Sequence, residues 1–274
     1  MTPWGIAILA ALLAFGSRSA AAETIRISGT GGAIGTMQIL GEAFRKTNPG
    51  IRVDILPSMG SSGSIRAVQA GRLDIGLSGR ALSAEERGEG VVETRYARTP
   101  FVFCVNSTLK ITGLTMEGLA EIYAGKRDWE KGKRIRLVLR HPEDSDIPVL
   151  KSMSPAMSAA VDVALRRKGM IVATTDDDAA DAIENVPGAF GGTTLSLVLS
   201  EKRALRVLTL GGVVPSVRTM TERSYPYRKT FFMMTRKNPS DAVRRFIDFV
   251  RSPSGAAILS KNGQGAVRGE SVLP

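Results

Sequence analysis

Cysteine and histidine each occur once in this chain of 274 residues. A single cysteine, Cys104, excludes an intrachain disulfide. Its setting in Phe101-Val102-Phe103-Cys104-Val105 predicts a small apolar packing unit, because an apolar strand disfavours the thiolate a nucleophile needs. A single histidine, His141, leaves no Cys/His set at metal-ligand spacing, so no metal and no cofactor is expected. A hydrolase would have to build its nucleophile-base pair on His141 alone, and that residue precedes a proline in a turn beside Arg140. Aromatic residues are only 5% of the chain, and nowhere do basic and stacking side chains alternate as a groove for single-stranded nucleic acid requires. Nucleic acid is therefore not an expected partner.

Long apolar runs are also missing. The one notable run, Ile6 to Phe15, is about ten residues, too short to span a bilayer as a helix. Residues Met1 to Ala22 contain no acidic side chain and end in Ala20-Ala21-Ala22, a small-residue stretch suited to a signal peptidase. Residues 1–22 are thus expected to be a signal peptide, with cleavage before Glu23. No cysteine follows the cleavage point, so no lipid anchor is expected, and the mature chain should be free in a periplasm.

What the chain has in excess is positive charge: its formal net charge is +11, which raises the local concentration of anions. Past residue 22 it alternates short β-branched runs with helical patterns, the signature of an α/β architecture. Thr24 to Ser28 reads as a strand entering a glycine-rich turn, and Met37, Leu40, Ala43 and Phe44 then fall on one helix face. Asn48-Pro49-Gly50 ends that helix, and Ile51 to Ile55 forms the next strand. Ser58 to Gly63 makes a second polar turn before a helix over Ser64 to Ala70, and the strand Leu73 to Leu77 ends at Ser78-Gly79-Arg80. Three successive strands thus end in small polar residues. In a parallel sheet those ends share one edge, where helix N-termini offer unpaired N–H groups to an anion.

The middle of the chain predicts a helix over Thr115 to Ala124, a strand over Ile135 to Leu139, a helix over Ser154 to Lys168 and another over Ala179 to Glu184. The run Asp176-Asp177-Asp178 reads as a helix cap with dipole-favouring charges, since no further ligand lies at metal spacing around it.

The segments IRISGTGGAIG, AFRKTNPGIRV, GSSGS and LDIGLSGRAL, between Ile25 and Leu82, together resemble the phosphate-binding receptors of ATP-binding-cassette importers. Leu114 to Lys126 with Trp129, Val186 to Gly191, and Tyr225-Pro226-Tyr227-Arg228 continue the likeness across the mature chain. The resemblance implies the two-lobed type II periplasmic binding fold, each lobe a mostly parallel sheet flanked by helices. Two hinge strands, near Phe101 to Val105 and Thr230 to Thr235, would join lobe one (residues 23–104 and 231–274) to lobe two (residues 105–230). It also implies a monomer that captures phosphate or a similar oxyanion for the permease subunits of an importer, and that catalyses nothing.

Carried over by position, the resemblance places the first anion loop at Thr30 to Ile34, with Gly32, Ala33 and Ile34 giving backbone donors and Thr30 a hydroxyl. Ser61 and Ser62 would supply the second loop, Ser78, Gly79 and Arg80 the third, and Arg140, Ser145 and Asp146 the opposite lobe. A guanidinium suits this role because its planar fork matches two phosphate oxygens. The chain departs from the family at Gly31 and Gly32, where relatives often carry hydroxyls. It departs again at Gly79, where some place an aspartate that accepts the ligand's own proton, and at Asp146-Ile147, which replaces Gly-Thr. Asp144 or Asp146 could supply the missing acceptor, or could cap the following helix. A receptor for sulfate or molybdate, or a sensor, is the alternative. A more distant one is a NAD(P)-dependent oxidoreductase, suggested by Gly29 to Gly35 and Asp54. Asp54 sits inside its strand rather than at its end, however, and Pro226 spoils a helical Tyr-x-x-x-Lys.

Overall fold

The computed structural model describes residues 23–129, 132 and 134–267, so the expected signal peptide lies outside them. The first part alternates strand and helix: β1 (Glu23–Gly29), α1 (Gly31–Thr47), β2 (Ile51–Ile55), α2 (Gly60–Gln69) and β3 (Ile75–Ser78). A short α3 (Ala84–Gly88) precedes the long strand β4 (Val91–Asn106). The middle runs β5 (Gly113–Leu114), α4 (Met116–Ala124), β6 (Arg136–Arg140), α5 (Asp146–Ser152), α6 (Pro155–Arg166), β7 (Ile171–Ala173), α7 (Asp176–Asn185), β8 (Ala189–Thr194) and α8 (Leu195–Ser200). After β9 (Leu205–Val207), β10 (Thr209–Leu210) and α9 (Val217–Thr221), the chain closes with β11 (Arg228–Arg236), α10 (Asp241–Arg251), α11 (Pro253–Lys261) and β12 (Gly265–Ala266).

The main sheet follows the order β2-β1-β3-β11-β4-β8-β6-β7, with β9 and β12 also pairing to β4. Its two ends are parallel: β1 lies between β2 and β3, and β6 between β7 and β8. The antiparallel strands β11 and β4 join them. The first stretch of β4, Val91 to Pro100, pairs with β11, and Phe101 to Val105 pairs with β8. One strand therefore belongs to both parallel groups, and it passes from one to the other between Pro100 and Phe101, just ahead of the crossing expected at Phe101 to Val105.

Each group has its own apolar core. Ile25, Met37, Leu77, Phe231 and Phe246 pack in one, and Phe103, Tyr123, Leu137, Met157 and Phe190 in the other. The helices dock by the stripe their sequences predict: on α10, Ala242, Val243, Phe246 and Val250 are buried while the charged residues between them are not. Phe103 stacks on Phe190 at 5.8 Å between ring centroids, fixing β4 to β8 side chain by side chain.

Three further boundaries that bear on the site differ from the sequence reading. The second crossing comes earlier than Thr230, because Phe231 to Thr235 already pairs with β4. The chain crosses at Tyr225 to Tyr227, where Pro226 has no N–H to give a ladder and the Tyr225 hydroxyl donates to the Phe101 carbonyl at 2.8 Å. Helix α2 begins at Gly60 rather than Ser64, which puts Ser61 and Ser62 in its first turn. Helix α7 begins at Asp176 rather than Ala179, because Thr175 and Asp178 close a reciprocal capping box.

Candidate anion site

The site lies where the ends of β1, β3 and β6 meet the start of β11. Gly29 ends β1 against the β3 backbone: a Cβ there would lie 2.0 Å from the Leu77 carbonyl oxygen, so only glycine allows the approach. The Thr30 N–H then donates to that carbonyl at 3.0 Å, and the chain turns into α1. Thr30 sits at the N-cap position, yet its side chain makes no cap hydrogen bond. Its hydroxyl donates instead to Asp176 Oδ2 at 2.6 Å, and the Gly32 N–H donates to the same oxygen at 3.1 Å. A helix N-terminus and a hydroxyl thus hold an oxyanion, and that oxyanion is a carboxylate at the start of α7.

Close packing on both sides of this loop leaves no room for hydroxyl side chains at positions 31 and 32. A Cβ on Gly31 would lie 2.9 Å from Asp176 Cβ, and one on Gly32 would lie 2.8 Å from Thr194 Oγ1. Ala33 and Ile34 are buried and offer only backbone, and the Ala33 N–H already donates to the Thr30 carbonyl.

From the second loop, Ser61 Oγ accepts the Gly79 N–H at 2.9 Å, which joins α2 to the end of β3. Ser78 is fully buried and shapes the turn by donating to the Arg80 carbonyl and accepting the Arg80 N–H. Arg80 points elsewhere. Its guanidinium forks onto Glu86 at 2.7 and 2.8 Å and donates to Ser62 Oγ at 3.0 Å, so neither Arg80 nor Ser62 joins the central cluster. This salt bridge draws the Glu86 carboxyl down to about 2.

Gly79 borders the opposite wall: a Cβ there would lie 3.0 Å from Lys229 Cε and 3.2 Å from Ser145 Oγ. Lys229, at the start of β11, is buried and paired with Asp146. Arg140, at the end of β6, is only 5% exposed; its Nη2 meets Asp144 at 2.5 Å and lies 3.9 Å from Asp176. The Nε and Nη1 of Arg140 are buried and meet no acceptor among the described residues. Asp144 accepts the Asp146 N–H at 2.9 Å, and Ser145 makes no cap bond, so of the two aspartates Asp144 braces the start of α5.

Two cations, Arg140 and Lys229, therefore face three carboxylates, Asp144, Asp146 and Asp176. Burial opposes every charge here, and the neighbours decide the outcome. Burial would raise the Asp176 carboxyl, but Lys229, Arg140 and the hydrogen bonds from Thr30 and Gly32 hold it well below the usual carboxylate range. Asp146 goes the other way: burial lifts it, Lys229 pulls it down, and the adjacent Asp144 and Asp176 help leave it raised, to about 6. Carboxylates around Lys229 and Arg140 more than offset burial and raise both cations. Cys104 is fully buried and its thiol is pushed far up by burial, as its apolar strand predicts.

Thr30, Gly32, Gly79, Arg140, Ser145 and Asp146 thus converge, with Ser61 at their edge. Sequence reasoning missed Lys229 and Asp176. Lys229 carried no mark in the sequence, because β11 is apolar on both faces and parity does not separate Lys229 from the exposed Arg228. Asp176 was obscured by the run of three aspartates, of which only Asp178 is needed for the capping box.

The model of the PBP superfamily domain matches residues 16–254. The chain belongs to the PBP superfamily. A PBP relative, the phosphate-binding protein PstS of Borreliella burgdorferi, is 24% identical over 250 residues, covering 87% of this chain and 89% of that protein. The structure of a Clostridium perfringens phosphate ABC transporter substrate-binding protein with bound phosphate superposes with a TM-score of 0.76 at 20% identity, covering 90% of this chain and 100% of the other. An ABC-type phosphate transport receptor from Vibrio cholerae superposes with a TM-score of 0.60 at 20% identity, over 88% of this chain and 99% of that one. The two-lobed type II architecture expected from the sequence is therefore the fold of this PBP chain.

Proposed function

We propose that this PBP chain captures a small tetrahedral oxyanion, inorganic phosphate, between its lobes and passes it to the permease subunits of an ABC importer without catalysing a reaction. The lobes meet at the two crossings, one between Pro100 and Phe101 and the other at Tyr225 to Tyr227. After removal of residues 1–22 the chain works as a periplasmic monomer.

The observation that carries this reading is Arg140: a guanidinium at 5% exposure, two of its nitrogens without an acceptor among the described residues, beside a helix N-terminus that already holds a carboxylate oxygen. Most buried polar groups are paired, and an Arg fork with N–H groups to spare suits a multidentate oxyanion. Thr30, Gly32, Ser61 and Ser145 add neutral donors from both lobes. Asp146, held by the Lys229 that borders Gly79, takes over the role of the missing aspartate by accepting the proton of the ligand. Such an acceptor rejects unprotonated sulfate through repulsion. The names of the curated relative and of the superposing structures support phosphate as the ligand.

Equilibrium dialysis with radiolabelled phosphate tests the reading. Wild type should bind one phosphate per chain at about micromolar or tighter. Arg140→Met should lose at least a hundredfold in affinity, since a charge-assisted hydrogen bond contributes roughly 1.5 to 3 kcal/mol and more than one is lost. Wild-type affinity in Arg140→Met would refute the placement of the site.

A further inference from the structure

We propose that Asp176 is an affinity- and specificity-setting residue: a tethered anion that occupies the oxyanion loop of α1 and must be displaced by the ligand. The inference rests on the receptor reading given above. Asp176 Oδ2 accepts both the Thr30 hydroxyl and the Gly32 N–H, the donors a phosphate oxygen would use, and Oδ1 lies 3.9 Å from Arg140. One side chain thus takes the hydroxyl, the helix N-terminus and part of the guanidinium field that the site offers.

The tether also spans the cleft. Thr30 and Gly32 stand at the end of β1 in the first parallel group, and Asp176 starts α7 beside β6 and β8 in the second. Closure of the lobes is thereby favoured without a ligand, and a ligand has to open this contact before it can form its own. Asp176 is not committed elsewhere: the cap of α7 is made by Thr175 and Asp178, so its carboxylate can leave the loop without uncapping the helix.

Displacement sets selectivity as well as affinity. A ligand gains only what exceeds the carboxylate it replaces. A planar monoanion such as formate or nitrate offers the loop little that Asp176 does not already supply. A tetrahedral oxyanion keeps the Thr30 and Gly32 contacts and has further oxygens for Ser61, Ser145 and the remaining Arg140 nitrogens. The tether therefore filters out small carboxylates and tolerates phosphate-shaped ligands.

The test is calorimetric titration of wild type, Asp176→Asn and Asp176→Ala with phosphate and with formate, alongside small-angle scattering of each protein without ligand. Asp181→Asn controls for loss of a negative charge on α7, because Asp181 is 58% exposed and pairs with Arg203 rather than with Thr30, Gly32 or Arg140. Thermal unfolding confirms that each variant is folded. Both Asp176 variants should bind phosphate about tenfold tighter than wild type, show measurable formate binding and have a larger radius of gyration when unliganded. Asp181→Asn should match wild type. Phosphate binding that is equal or weaker in folded Asp176 variants overturns this inference and leaves the receptor reading standing. Absence of phosphate binding in wild type and in both Asp176 variants overturns the receptor reading itself.

Discussion

Lys229 and Asp146 illustrate how single residues decide this molecule. Their side chains are 1% and 2% exposed, and each is tolerable in the interior because the other is there. Lys229→Met should destabilise the protein by about 3 kcal/mol or more, because it strands a buried carboxylate. Pairing it with Asp146→Leu should recover most of that loss in urea denaturation; equal damage in the single and double variants would contradict the pairing. Ser61 makes a smaller contribution. Its hydroxyl accepts the Gly79 N–H, and Ser61→Ala should weaken phosphate binding about tenfold to a hundredfold in titration, with little change in fold. At this scale the Thr30 loop lies at a strand end that the chain pattern marks, whereas Arg140 and Ser145 entered the candidate site through the family resemblance. The pairing of Arg80 was not legible: a basic residue after Ser78-Gly79 carries no mark of the glutamate six positions on that claims it.

Among the elements, the short helix α3 gives the clearest pH signature. Ser83 and Glu86 form its capping box, and Glu86 is also gripped by Arg80, which lowers its carboxyl from 4.5 to about 2. A carboxyl with a lowered folded pKa contributes stability that is complete above its unfolded pKa and disappears as pH falls through the folded value. Urea denaturation between pH 5 and pH 2 should therefore show a loss that is smaller in Glu86→Gln than in wild type. Parallel pH dependence in the two proteins would contradict it. Helix and strand types were legible in α1 and β1, where apolar residues recur at the periods of 3.6 and 2, whereas α10 went unread although its apolar stripe is the clearest. The starts of α2 and α7 were not legible either, because their first turns are small or acidic and bury little apolar surface. Those two turns hold Ser61 and Asp176, so the parts of the site hardest to read were the parts set by helix boundaries.

For the whole molecule, the sequence patterns pointed to an α/β architecture and the family resemblance to two lobes, and the sheet joins them through β4 and the segment leading into β11. What no local pattern showed is that the cleft between them is closed by charges of this chain's own. The surface acts at longer range. With a formal charge of +11, the chain should collect anions faster at low ionic strength, so the association rate for phosphate in stopped-flow should fall as salt rises. The most direct test of the central claim is isothermal titration of the refolded, anion-stripped mature protein with phosphate, sulfate, molybdate and arsenate at two pH values. One phosphate or arsenate bound per chain, with sulfate and molybdate excluded, is the expected result. Tight binding of sulfate or molybdate, or no binding of phosphate at either pH, would contradict it.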